Sequence, residues 1–310
     1  MSDSGKATAP ARAGSAMHAW PGTLLLVLVA VCFSANHIAA RFAFDYGATV
    51  NLALVLRSGV TALMMAVMLA AAGRLQLPPA PVTRRALLVG LLIALQSYCL
   101  YAAVARLPVA IALLIFNTFP LLLAILSALT RTEIAKRRTW QVMPVVLFGL
   151  ALSLGVIGSG SDAADTPLSL SGIVLAFAAA LLFALALMLT TRWLGSLDGR
   201  VRTGLLMLTT ACVVGLVSLL QGSLTLPAQP QAWWGLLLLT LLYGSGITVV
   251  FTVLPRIGMA NNAAILNMEP ASALVLGWLL LDQSMRLSQA LGIVLVVAAV
   301  IYLASGRNRP

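Results

Sequence analysis

Hydrophobic positions gather into ten long runs, near residues 20–40, 50–72, 86–104, 109–129, 140–157, 169–191, 202–220, 233–253, 261–281 and 287–305. Runs of about 17 to 25 residues are long enough for a helix to cross a hydrocarbon core of ~30 Å. The pattern therefore predicts an all-α polytopic membrane protein with ten transmembrane helices. Polar residues collect between the runs, and the stretch before Trp20 is polar, with Lys6 and Arg12. The first run is too long for a signal-peptide core and carries Asn36 and His37, so it reads as a retained helix.

One polar motif inside the runs occurs twice. Ile265-Leu266-Asn267-Met268-Glu269-Pro270 has an echo 150 positions earlier in Ile115-Phe116-Asn117-Thr118-Phe119-Pro120. The same offset pairs Arg106 with Arg256, Ala110 with Ala260, Leu126 with Leu276 and Leu129 with Leu279. Two copies of one five-helix unit follow, at 20–157 and 169–305. A polar, acidic linker at 158–168 joins them, and short tails at 1–19 and 306–310 flank them.

Of the nineteen Lys and Arg residues, fifteen lie in the tails and one set of alternate loops, three in the other set, and Arg57 inside a run. The positive-inside rule places both termini in the cytoplasm and the linker outside. With five helices per copy, the second copy enters the membrane from the opposite side. A 5+5 inverted-topology repeat of this kind is expected of an alternating-access carrier with its site near the midplane.

Composition agrees with this reading. The 310 residues are 61% hydrophobic and 9% charged, with a mean hydropathy of +1.03, too apolar for a soluble core. The net charge of +11 lies between the runs, so it reports orientation and not nucleic-acid binding. Cys32, Cys99 and Cys212 all fall in apolar runs without a CxxC pair or metal-ligand spacing, and read as packing residues.

Ten helices, the internal duplication, the Glu269-Pro270 element and the acids ending the fourth and ninth runs (Glu133, Asp282) resemble the drug/metabolite transporter superfamily, EamA type. Within it the chain is most similar to YddG-type amino-acid exporters of bacterial inner membranes. The resemblance implies a basket-like bundle in which helices 1, 3, 4, 6, 8 and 9 line a central cavity while 5 and 10 lie outside. It also implies location in a bacterial inner membrane. The chain departs from the family at Phe119, where the first copy often carries an acid.

Polar residues within the runs are the candidates for function. Glu269 lies ~12 Å from the cytoplasmic edge, where a lipid-facing carboxylate would be costly. It reads either as a structural carboxylate or as a substrate or proton site. Pro120 and Pro270 remove main-chain donors and suggest paired bending points. Asn117 and Asn267, three residues before them, are read as cavity groups or as hydrogen-bonding residues between helices.

His37 can change charge near neutral pH. Tyr98, Tyr101 and Tyr243, placed near mid-depth, predict an aromatic and mildly polar cavity wall. Arg57 reads as snorkelling outward or pairing with Asp45. Glu133 and Asp282 read as ties at helix ends, outside the site.

No nucleotide-binding loop, HExxH helix, metal cluster or cofactor motif appears, so neither ATP drive nor catalysis has sequence support. The reading is a secondary transporter, not an enzyme and without cofactor, acting as a monomer. It is expected to export small amphipathic metabolites, amino acids including aromatic or neutral ones. The alternatives are a multidrug exporter and, in a different class, a channel or scaffold. Glu269 and His37 permit proton coupling, while facilitated diffusion would need none.

Overall fold

The computed structural model describes residues 19–104, 106–107, 109–131, 136–157, 169–257, 262–281 and 286–305. The linker at 158–168, both tails apart from Ala19, Glu133 and Asp282 lie outside these residues. Among the described residues the regular structure is entirely helical: α1 (Ala19–Asp45), α2 (Val50–Ala71), α3 (Ala80–Val104), α4 (Val109–Phe116), α5 (Phe119–Leu129), α6 (Arg137–Ser153), α7 (Leu170–Leu194), α8 (Gly199–Leu220), α9 (Pro230–Ile257), a 3-10 segment (Ala263–Asn267), α10 (Met268–Leu281) and α11 (Leu287–Ser305). Helices fall within all of the apolar runs, the fourth and ninth being broken into two pieces. Among the described residues seven segments are long and apolar enough to cross a membrane: those in α1, α2, α3, α7, α8 and α9 and the combined stretch Ile111–Leu129.

Local chemistry sets several of the helix starts. The Thr49 hydroxyl accepts a hydrogen bond from the Leu52 amide at 3.3 Å, and that of Ser169 accepts one from Gly172 at 3.4 Å. Asp198 caps α8 by accepting from the Arg200 amide at 2.8 Å. The Arg200 guanidinium also bonds that carboxyl and holds it below the usual carboxylate range. Arg202 is buried on the next turn, where its guanidinium donates to the Leu194 carbonyl at 2.9 Å and to that of Phe251. It thereby ties the end of α7 and α9 to the start of α8.

The larger packing contacts join the two copies. α1 packs on α9 and α3 on α7, α2 on α8, α6 on α11, α1 on α10, and α4 with α5 on α7. At the offset of 150, α1 corresponds to α7, α3 to α9, and α4 with α5 to the 3-10 segment with α10. Exchanging the copies thus turns the α1/α9 contact into α7/α3. Small side chains permit the close approaches: Ala176, Ala179, Ala180, Ala184 and Ala186 of α7 are fully buried. Where lipid removes the hydrophobic drive, such van der Waals packing dominates helix association. At the α6/α11 crossing, a Cβ on Gly292 would meet the Gly149 carbonyl at 2.5 Å and the Ser153 amide nitrogen.

Both N-x-x-P helices are interrupted at the repeated motif. In the first copy α4 stops at Phe116, Asn117 and Thr118 form a turn, and α5 begins anew with Pro120 in its first turn. The second copy holds its corresponding stretch as a 3-10 segment that ends at Asn267, after which α10 carries Glu269 and Pro270 in its first turn. A proline in a first turn gives up a donor that has no helical partner there. Each proline therefore sits in the first turn of a new half-helix, where the sequence predicts a bend in a continuous one.

Candidate functional site

A cavity of about 200 Å³ lies between the copies. Its wall comes from α1, α2, α3, α4, α5, α7, α9, the 3-10 segment and α10. The fifth and tenth runs, α6 and α11, contribute nothing to it, as the family resemblance implies. Unlike that expectation, the second run contributes Arg57.

Much of the wall is made of residues related by the repeat. Phe33 and Phe183, Ile93 and Tyr243, Ser97 and Ile247, Leu100 and Val250, Phe116 and Leu266, and Phe119 and Glu269 all line it, each pair 150 positions apart. The scaffold of the cavity is thus duplicated, while its chemistry is not. His37, Arg57 and Asn36 also line the wall, where the other copy has Leu187, Met207 and Ala186.

The polar pole centres on two contacts. His37 Nε2 and Glu269 Oε1 share a hydrogen bond of 2.6 Å, with 50% of the histidine side chain and 26% of the glutamate side chain exposed. Ser34 steadies this meeting of α1 and α10 by donating to the main-chain carbonyl of Glu269 at 2.6 Å. Beside it, the Arg57 guanidinium carbon stands 3.9 Å from the centre of the Tyr243 ring, a cation–π stack. Phe33 packs on the same tyrosine with ring centroids 6.0 Å apart.

Another part of the wall is apolar. Phe116, Phe119 and Phe183 form a ring cluster with centroid distances of 5.6, 5.7 and 4.8 Å. These are the tilted and edge-on arrangements that aromatic quadrupoles favour.

Of the residues that the sequence singles out, the structure brings His37, Asn117, Tyr243, Glu269 and Pro270 to this one cavity. Asn117 does not bond across helices: its amide donates to the Leu113 carbonyl at 2.8 Å and closes the end of α4. Asn267 is fully buried away from the wall, and neither amide atom has a hydrogen-bond partner among the described residues. Pro120 is buried behind the wall.

Tyr98 departs from its expected place. It is 55% exposed and lies on a separate groove between α2, α3 and α8, with Leu91, Ala94 and Leu95. The side chain of Tyr101 lies outside the described residues.

Arg57 is the correction of most consequence. It neither reaches outward nor meets Asp45, but faces the cavity over Tyr243. Gln96 and Ser97, not selected from the sequence, also line the wall. Their signal is present in the chain: they are an adjacent polar pair within an otherwise apolar run.

A family model described as the EamA-like transporter family matches residues 20–155 and 170–305. The two matches start 150 positions apart, at the offset that relates the motifs. No curated protein matches the chain. Among solved structures, one titled "Crystal structure of protein" superposes with a TM-score of 0.75 at 17% identity, covering 91% of this chain and 97% of that one. At that identity the likeness speaks for the fold alone.

Proposed function

Because the chain belongs to the EamA-like transporter family, and so is a multi-pass membrane transporter of the drug/metabolite superfamily, we propose that it exports small amphipathic metabolites, chiefly neutral and aromatic amino acids, by alternating access. The carrying observation is a cavity between the two copies whose wall carries a polar group of residues and an aromatic one. An amphipathic solute can place its charged end at the first and its side chain at the second.

In this reading all ten apolar helices cross the membrane as a 5+5 inverted repeat, with both termini in the cytoplasm of a bacterial cell and the chain acting as a monomer. The exchange of contacts between copies supports the repeat, and the basic residues of alternate loops support the orientation. The two interrupted helices meet at the cavity, as discontinuous helices do in carriers built from inverted repeats. The His37–Glu269 pair is the candidate for proton linkage.

The test is uptake by purified protein in liposomes, over a panel of labelled amino acids and cationic drugs, with and without an imposed pH gradient. Saturable uptake of neutral and aromatic amino acids, with counterflow, is the expected result. Preference for bulky cations would move the reading to a multidrug exporter. Flux without saturation or counterflow would indicate a channel, and absence of flux a scaffold. Uptake that ignores the gradient would remove the proton-linked role of the pair.

A further inference from the structure

Arg57 is the one wall residue of the second run, and the fold does not require a cation there. Its repeat equivalent is Met207, fully buried on α8 in the same kind of setting. Among the described residues no carboxylate pairs with the Arg57 guanidinium, and its buried Nε has no hydrogen-bond partner. Tyr243 covers its face, which steadies the cation without satisfying its donors. Glu269, the carboxylate on the same wall, already gives one oxygen to His37.

A guanidinium keeps its charge at any physiological pH and presents a planar fork matched to two carboxylate oxygens. A half-buried, ring-stacked arginine without a carboxylate partner among the described residues is therefore equipped to bind an anion. The apolar cluster of Phe116, Phe119 and Phe183 in the same cavity fits a hydrocarbon or aromatic tail.

We infer that Arg57, held by Tyr243, is the anchor for a substrate carboxylate, and that the site takes small monocarboxylates with an apolar tail whether or not they carry an amino group. This rests on the transport reading for its biological meaning, since it names the substrate class of that same cavity. It does not rest on it for its test, because binding is measured apart from transport. The amino group is the lesser determinant, because one oxygen of the carboxylate that would receive it is already bonded to His37 while the Arg57 guanidinium has no carboxylate partner among the described residues.

The experiment measures equilibrium binding of labelled phenylalanine to the purified full chain in detergent. Unlabelled 3-phenylpropionate, which lacks the amine, and phenethylamine, which lacks the carboxylate, serve as competitors. Wild-type protein is expected to bind phenylalanine, with 3-phenylpropionate competing within about tenfold of phenylalanine itself. Phenethylamine is expected to compete at least ~30-fold more weakly, the range of a charge-assisted pair at ~2 kcal/mol.

Arg57→Met, which copies the other repeat, should weaken binding by a similar factor at an unchanged melting temperature. Arg57→Lys should restore part of it, and Tyr243→Leu should weaken it less than Arg57→Met. Should Arg57→Met fail to fold, the ligand panel on wild type together with the lysine variant decides. Competition by the amine but not by the acid would overturn the inference, as would undiminished binding by a folded Arg57→Met protein or no binding of either carboxylate by wild type. Carboxylate binding without flux in liposomes would sink the transport reading alone.

Discussion

Phe119 and Glu269 occupy the same place in the two copies, each just before the proline that opens a half-helix, and they meet the cavity with opposite chemistry. Phe119 is buried against Phe116 and Phe183, whereas Glu269 is partly exposed and bonded to His37. A duplicated scaffold supplies two equivalent walls. Departure from symmetry at Glu269, His37, Arg57 and Tyr243 makes one of them polar. A site with both walls alike could bind a wholly apolar or a wholly polar solute, while the divergent pair suits a solute with two unlike ends.

The largest effect should come from erasing that difference. Glu269→Phe copies the first repeat, removes the partner of His37 and leaves Arg57 facing a wall without a carboxylate. Losing one partner of a hydrogen bond to a charged group costs about 1 to 3 kcal/mol. The pair is partly exposed, so the lower half of that range applies to folding. Transport should fall by roughly ten- to a hundredfold, with a modestly lowered melting temperature. Uptake and melting measured on the same preparation check this. Full transport with both walls aromatic would show that the asymmetry is incidental.

A smaller effect is expected at the apolar wall. Phe183→Ala removes one member of the ring cluster and leaves the polar pole untouched. In competition uptake, the preference for aromatic over small solutes should drop by roughly five- to fiftyfold, consistent with the 1 to 3 kcal/mol by which apolar pockets discriminate. Uptake of a small substrate should change little. An equal loss for all substrates would mean that the cluster holds the fold and does not read the solute.

How far the sequence reveals this follows from what each signal encodes. Hydropathy gives the all-helical character, because an apolar stretch of that length has few other fates in a membrane protein, and among the described residues seven segments are long and apolar enough to span. The repeated N-x-x-P motif marks where two helices are interrupted, because proline cannot continue the main-chain ladder. Burial depth suggested Glu269 and Tyr243 for the cavity. Depth alone misplaced Arg57, because the flexibility of its stem allows either an outward or an inward course, and only the packing of α2 against α8 and α9 decides. Asn267 was legible as a polar residue in an apolar helix, but its burial behind the wall depends on how the 3-10 segment seats against α1 and α6.

The smallest effect belongs to Tyr98, and it tests where the polar wall ends. Depth in the membrane does not fix the direction in which a helical side chain points, since successive residues turn by ~100°. On α3 the residues that line the cavity are Ile93, Gln96, Ser97 and Leu100, the spacing of a single helical face. Tyr98 instead shares its face with Leu91, Ala94 and Leu95, which border the outer groove. A hydroxyl on that groove cannot meet a solute held between Arg57 and the phenylalanine cluster. Tyr98→Ala should therefore leave the relative uptake of aromatic, small and deaminated substrates within about twofold of wild type, and any loss should appear as lower stability through the packing of α3 on α8. Gln96→Leu, one face away on the same helix, is the internal contrast: it alters the cavity wall and should shift that ranking. A changed ranking from Tyr98→Ala with none from Gln96→Leu would place the substrate path on the outer face of α3 and away from the cavity between the copies.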